Sequence, residues 1–100
     1  WIRPLQRRRT MPQAIADPEE LKRFAQLLKK FNTELTDRSN ALAGQLESLS
    51  MTWRDQENKK FAEQFEQQLK GLARLVEINN EYIPFLMRKA TRIEEYLAQR

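Results

Sequence analysis

The chain has no cysteine and no histidine among its 100 residues. Without these side chains it can build neither a zinc site of the usual nitrogen and sulfur ligands nor a nucleophile that histidine activates. Its only two glycines, Gly44 and Gly71, stand alone in sequence of helical pattern, so no glycine-rich loop is available to wrap phosphates. These absences argue against metal-dependent enzymes, histidine-dependent enzymes and nucleotide-binding loops. We expect no catalytic residues, no metal and no cofactor.

Long apolar runs are also absent. No run approaches the roughly 18 residues that a membrane-spanning helix needs, and the arginines near the start are followed by polar sequence. We therefore predict no transmembrane helix and no cleaved signal peptide. The protein is expected to be cytoplasmic, or to be exported without a cleaved signal peptide.

The net positive charge of +4 lies entirely in the first 16 residues. Four of the 18 basic residues stand there, and the remaining 14 balance the 14 acidic residues of the chain. Two prolines and no helical period predict that residues 1–16 form a flexible arm, and residues before Met11 are expected to be non-native if the natural chain starts there. The arm residues that a phosphate-bearing partner would contact are Arg3, Arg7, Arg8 and Arg9.

A first long helix is predicted from residue 18 to about residue 50. Asp17 supplies an N-cap carboxylate, Pro18 takes the first helical position, and acidic residues follow at the positive end of the helix dipole. Leucines then recur every seven residues, at Leu21, Leu28, Leu35, Leu42 and Leu49. The steps between them are filled by Phe24, Phe31, Ser39, Leu46 and Trp53. This spacing predicts one apolar stripe along an α-helix.

A turn is predicted at about residues 51–54, and a second helix from about residue 55 to about residue 98. We predict Thr52 as its N-cap, with Asp55 three residues later as the reciprocal acceptor. Apolar heptads continue at Ala62, Leu69, Val76, Ile83, Ala90 and Leu97, and a second column holds Phe65, Leu72, Asn79, Leu86 and Ile93. Because the heptad phase is unchanged across Pro84, we interpret this proline as a kink, with a new helix starting there as the alternative.

Two long amphipathic helices joined by a short turn predict an all-α antiparallel hairpin. Such a hairpin buries only one stripe of each helix, so a chain of this size without disulfides needs a second apolar surface. We predict a partner interface at one level of the hairpin, and we expect Gly71 beside it to permit close helix approach. A slightly wide core is the alternative interpretation of each position. The predicted interface residues are Phe24, Leu27, Phe31, Leu75, Ile78, Tyr82 and Phe85.

The predicted interface favours association between hairpins. A self-complementary surface would give a homodimer, and the two hairpins would form a four-helix bundle. A related but different hairpin chain would give a heterodimer of the same shape. Asn79 lies in an otherwise apolar heptad column, where a polar group fixes register or pairing at some cost in stability; a hydrated asparagine in a bent helix is the alternative.

The predicted turn carries residues that resemble a known family. Trp53 stands at the turn, leucines precede it at helical spacing, and Phe61 follows it by eight residues. Over roughly residues 18–97 the chain resembles the Trp-x-Gly family of small secreted helical hairpins, the early-secreted-antigen-like substrates of type VII secretion systems. Asp55 occupies the place of the signature glycine, so the turn signature here consists of Trp53, Arg54, Asp55 and Phe61.

This resemblance implies a non-catalytic protein that acts by association, as a secretion substrate, an export partner or an effector chaperone. It also implies the secretion machinery as a further partner. The family's C-terminal signal, a tyrosine with an acidic residue four positions later, is not matched, because Tyr96 is followed by Arg100 and Tyr82 by Leu86. Two other functions remain open: a structural or adaptor coiled-coil module, and binding of nucleic acid or a membrane surface through the arm, which the neutral body of the chain disfavours.

Overall fold

The computed structural model of the protein describes residues 16–99. They form two helices, α1 (Pro18–Thr52) and α2 (Gln56–Ala98), which pack side by side as an antiparallel hairpin. The hairpin extends over 68 × 28 × 15 Å. The predicted all-α hairpin is confirmed. The four arginines of the predicted arm and the alternative start at Met11 lie outside the described residues.

Helix α1 begins at an N-cap of the predicted kind. The Asp17 backbone is extended, and its Oδ1 atom accepts a hydrogen bond of 2.9 Å from the backbone N–H of Glu19. Pro18 follows in the first turn, where a backbone donor would have no helical acceptor. This arrangement satisfies one of the free N–H groups of the first turn and fixes where the helix starts.

The turn between the helices differs from the prediction in its cap. Thr52 is the last residue of α1, and its hydroxyl donates to the carbonyl of Leu49 at 3.2 Å instead of capping α2. Asp55 is the N-cap of α2, since its extended backbone brings Oδ1 to 3.1 Å from the backbone N–H of Asn58. The physical reason is the length of α1: Thr52 is still engaged in that helix, so the next capping side chain along the chain starts α2.

Helix α2 runs without interruption through Pro84, and the alternative of a new helix starting there is wrong. A proline at this position cannot donate to the carbonyl of Asn80, so the ladder of helical hydrogen bonds lacks one bond. The Pro84 side chain is exposed, which leaves room for its ring outside the contact between the helices.

The seam between the helices follows the heptads of α2 closely. All members of its two predicted heptad columns are buried or half-buried, whereas the leucine column of α1 leaves the seam towards the turn, where Leu42 and Leu49 are exposed. An α-helix drifts by about 20° per heptad relative to a strict seven-residue repeat, and the leucine column of α1 leaves the seam in this direction, whereas the columns of α2 do not leave it. The seam is thin: within residues 16–99 the buried apolar side chains other than proline are Ala25, Leu46 and Ala90.

Three polar contacts tie the helices together at different levels. Near the turn, the Ser50 hydroxyl donates to Oδ1 of Asn58 at 3.2 Å. Midway along the hairpin, the buried Asn32 exchanges hydrogen bonds with two asparagines of α2. At the open end, Nζ of Lys22 lies 2.5 Å from Oε2 of Glu94. The low residue numbers of α1 therefore lie beside the high ones of α2, which defines the antiparallel register.

Candidate partner interface

Large apolar side chains are exposed on both helices of the open half of the hairpin. Leu27 is 62% exposed, Phe24 and Phe85 are each 56% exposed, and Ile78 is half-buried. Leaving so much aromatic and aliphatic surface in water is unfavourable by about 25 cal/mol per Å². We call this set the apolar patch, and its members are the seven predicted interface residues: Phe24, Leu27, Phe31, Leu75, Ile78, Tyr82 and Phe85.

Helical geometry places the apolar patch on one side of the hairpin. In α1, Phe31 directly precedes the buried Asn32, and in α2 Tyr82 directly precedes the half-buried Ile83. Residues one position before a seam residue lie about 100° round the helix from it. Because α2 runs in the opposite direction to α1, the same offset in both helices points to the same side of the hairpin. The two halves of the patch thus form one surface across both helices.

The exposed apolar surface continues towards the turn, beyond the predicted set. Leu42 and Leu49 are 49% and 44% exposed, and they lie on the same side of α1 as Phe31 because the leucine column has drifted out of the seam. Phe61, on the facing part of α2, is also exposed. Sequence periodicity assigned the two leucines to the seam. The same seven-residue spacing stays in the seam in α2, so the sequence pattern alone does not identify the two leucines as exposed.

An aromatic stack closes the hairpin at the turn. The ring centroids of Trp53 and Phe61 lie 5.8 Å apart, and those of Phe61 and Phe65 lie 5.6 Å apart. Such offset aromatic pairs add about 0.5–1.5 kcal/mol beyond the area that they bury. Trp53 also ends α1, since its backbone N–H donates to the carbonyl of Leu49 at 2.8 Å. The tryptophan is half-buried, so one part of the ring holds the turn and another part faces solvent.

Arg54 and Gly71 each have a local position that differs from a contact between the two helices. The exposed Arg54 turns back onto α1, where its Nε donates to the carbonyl of Met51 at 2.7 Å. Gly71 does not permit a closer approach of α1 and α2, because a Cβ atom built there has no heavy atom of another part of the chain within 4 Å. Close approach of a partner helix at Gly71 stays a prediction. Gly71 faces outwards, away from the partner helix of its own hairpin.

The family comparison agrees with this arrangement of helices and turn. The model of the WXG100 family, described as proteins of 100 residues with WXG, matches residues 13–96 of the chain. The chain belongs to the WXG100 family. Members are small secreted helical proteins of type VII secretion. No curated protein and no solved structure matches the chain.

In this WXG100 chain the WXG signature reads Trp53-Arg54-Asp55. The tryptophan keeps its place between the helices, and the residue in the glycine position is the N-cap of α2. Aspartate is among the strongest N-cap residues, while glycine is weaker there. Aspartate in place of the signature glycine therefore gives α2 a stronger N-cap.

The opposite side of the WXG100 hairpin has an open groove of about 600 Å³ near the turn. Its lining is mixed: Asn40, Glu47, Ser50 and Glu66 are polar, and Leu46, Met51 and Leu69 are apolar. Across residues 16–99 there is no group of carboxylate side chains that could hold a metal ion. In the same part of the chain, neither helix has an apolar stretch long enough to cross a membrane.

Proposed function

We propose that this WXG100 protein acts without catalysis, by docking a second helical hairpin on its apolar patch. The observation that carries the proposal is the exposure of aromatic and aliphatic side chains on one side of both helices. Two hairpins that cover each other's patches make a four-helix bundle, in which the exposed side becomes the core.

The energetics favour association over an isolated hairpin. Six of the seven patch residues are 41–62% exposed and Ile78 is less exposed, and complete burial of such a side chain contributes about 1.5–3 kcal/mol. Seven residues together supply on the order of 5–10 kcal/mol per hairpin, against which the loss of translational and rotational freedom counts. The seam leaves most of its large apolar side chains only half-buried, and within residues 16–99 the buried apolar residues other than Leu46 and proline are alanines. Covering the patch therefore adds apolar burial that the lone hairpin does not have.

The partner that fits this surface is a second copy of the chain or a related hairpin. WXG100 proteins typically form helical-hairpin dimers with partners in secretion. The exposed side of two helices packed side by side is flat, and it is complementary in shape to the same side of another hairpin. We propose that the protein leaves the cell as part of such a dimer, and the presence of the chain in culture supernatant rather than in the cell pellet alone tests the export step.

Sedimentation velocity at tens of micromolar tests the docking surface. The unmutated chain is expected to sediment as a dimer, and Leu27→Asp or Ile78→Lys is expected to give a helical monomer. Met51→Asp is the matched control: Met51 is 68% exposed, but it lines the groove on the side away from the apolar patch, so its replacement should leave the dimer intact. An unmutated chain that sediments as a monomer would contradict self-association and would point to a related chain as the partner.

A further inference from the structure

Three asparagines form a hydrogen-bonded cluster across the seam. Nδ2 of Asn32 donates to Oδ1 of Asn80 at 2.9 Å, and Nδ2 of Asn79 donates to Oδ1 of Asn32 at 3.1 Å. Asn32 is only 3% exposed, whereas Asn80 reaches solvent. We propose that this asparagine cluster sets the register of the two helices within the hairpin. This inference does not depend on dimerisation.

The heptads alone do not define one register. In α2 the two seam columns repeat every seven residues over most of the helix, and α1 presents leucines at the same interval. A displacement of one helix by seven residues therefore still places apolar side chains opposite apolar side chains. The other contacts that depend on the register each make a modest contribution, and they are the Asp55 cap, the Trp53–Phe61 ring pair, the Ser50–Asn58 hydrogen bond and the Lys22–Glu94 pair. Without the asparagines, the register thus rests on several weak contacts near the two ends of the hairpin.

The asparagine cluster makes the observed register more stable than the displaced registers. In a register displaced by seven residues, Asn32 would face the level of Leu72 or Leu86 instead of Asn79. Its buried amide would lose both the acceptor and the donor that it now has. An unsatisfied buried polar group costs about 1–3 kcal/mol, so the displaced register is disfavoured by more than the cap alone provides.

The register matters for the apolar patch, because the patch is built from both helices. Phe31 directly precedes Asn32, and Tyr82 lies two residues after Asn80. A displacement by seven residues shifts one half of the patch along the other by about 10 Å. The cluster lies at the level of the patch, where any such shift would break the surface in two.

Spin-label distances within one hairpin test this proposal. The chain has no cysteine, so Glu47→Cys and Thr91→Cys introduce the only two label sites, both exposed. These positions are separated by about 40 Å along the hairpin in the observed register. Labelled chain is diluted into an excess of unlabelled chain, so that double electron–electron resonance reads only distances within one molecule. The test variant is Asn32→Leu with Asn79→Leu.

The labelled parent is expected to give one narrow distance peak. The double variant should remain helical with an equal or higher Tm, because replacing a buried polar cluster by apolar side chains is often neutral or stabilising. It should also show a second distance displaced by about 10 Å. Ser39→Leu is the control, since it adds an apolar side chain at another half-buried seam position and should keep one peak.

Two results would overturn the proposal. One is a double variant with the same single distance as the parent, which would mean that packing and the turn suffice to fix the register. The other is a double variant that loses its helical circular dichroism, which would mean that the cluster holds the fold together rather than choosing its register.

Discussion

Lys22 in the first turns of α1 pairs with Glu94 near the end of α2, with 2.5 Å between Nζ and Oε2. The two residues are 72 positions apart in the chain, and their contact closes the open end of the hairpin opposite the turn. The hydrogen bond to Glu94, together with the charges of Glu94 and Glu19, raises the pKa of Lys22 above its ordinary value of 10.5. Both side chains are about one-third exposed, so the ion pair makes a modest contribution to stability.

The raised pKa of Lys22 predicts a pH dependence at the alkaline end. The folded chain holds the lysine proton more tightly than the unfolded chain, so the contribution is complete below pH 10.5 and is lost as the pH rises above it. We expect Glu94→Gln to have a lower Tm than the parent at pH 8, and the difference to shrink as the pH rises above 10.5. Thermal unfolding by circular dichroism at a series of pH values measures this. A difference in Tm that stays constant as the pH rises through and beyond 10.5 would contradict the assignment.

The cap at the start of α2 predicts which turn substitution matters. Asp55→Ala removes the acceptor of the Asn58 N–H and should lower the free energy of unfolding by about 1 kcal/mol. Asp55→Gly, which restores the signature glycine, should cost only a few tenths of a kcal/mol. Thr52→Ala is the control and should have a smaller effect than Asp55→Ala in urea unfolding. The reverse order would mean that Thr52 is the cap in solution.

Pro84 predicts a gain in stability on substitution. Alanine at this exposed interior position restores a backbone donor for the carbonyl of Asn80 and removes a helix-breaking ring. We expect Pro84→Ala to raise the free energy of unfolding by about 1–3 kcal/mol. Circular dichroism melting at equal chain concentration measures the change. An unchanged or lower Tm would show that the proline ring is part of a contact that alanine cannot replace.

The two glycines form a matched pair of probes. A Cβ atom meets nothing within 4 Å at either position, so Gly44→Ala and Gly71→Ala should each stabilise the hairpin by about 0.5–1 kcal/mol. Gly44 lines the groove on the opposite side of the hairpin, whereas Gly71 lies towards the side of the apolar patch. Urea unfolding at low and high chain concentration compares them. A gain at Gly71 that shrinks only at high concentration would place a partner chain close to it.

The parts of this fold that the sequence predicts are those encoded by neighbouring residues, such as helix caps and heptad repeats. The N-cap at Asp17 follows from four consecutive residues, and the seam of α2 follows from a heptad repeat that spans most of the helix. These features depend on helix geometry and capping chemistry, both of which are local. The α2 half of the patch also follows from the sequence, because Leu75, Ile78, Tyr82 and Phe85 lie outside the two heptad columns. Phe24 and Phe31, in contrast, belong to the predicted stripe of α1 and are nevertheless exposed.

The missed features depend on where elements end and how they meet. Thr52 and Asp55 are both good N-caps, and the choice between them is made by the length of α1. The sequence does not identify Asn32 as the partner of Asn79, because the predicted apolar stripe of α1 contains Phe31 and not the neighbouring Asn32. A one-residue error in phase moves a side chain by about 100° and changes which residues face the other helix. Asn32 and Asn79 lie at similar distances along the chain from the turn, and this similarity is the signal in the sequence that pairs them.

The thin seam of the hairpin has a consequence for how the protein responds to heat and denaturant. No large side chain in residues 16–99 is fully buried, so unfolding a lone hairpin brings less apolar surface into water than unfolding a domain of the same size with a filled core. The heat capacity change of unfolding and the urea m-value both scale with that newly exposed surface. A dilute sample should therefore melt over a broad temperature range, and the transition should sharpen as the chain concentration rises and the patches are covered.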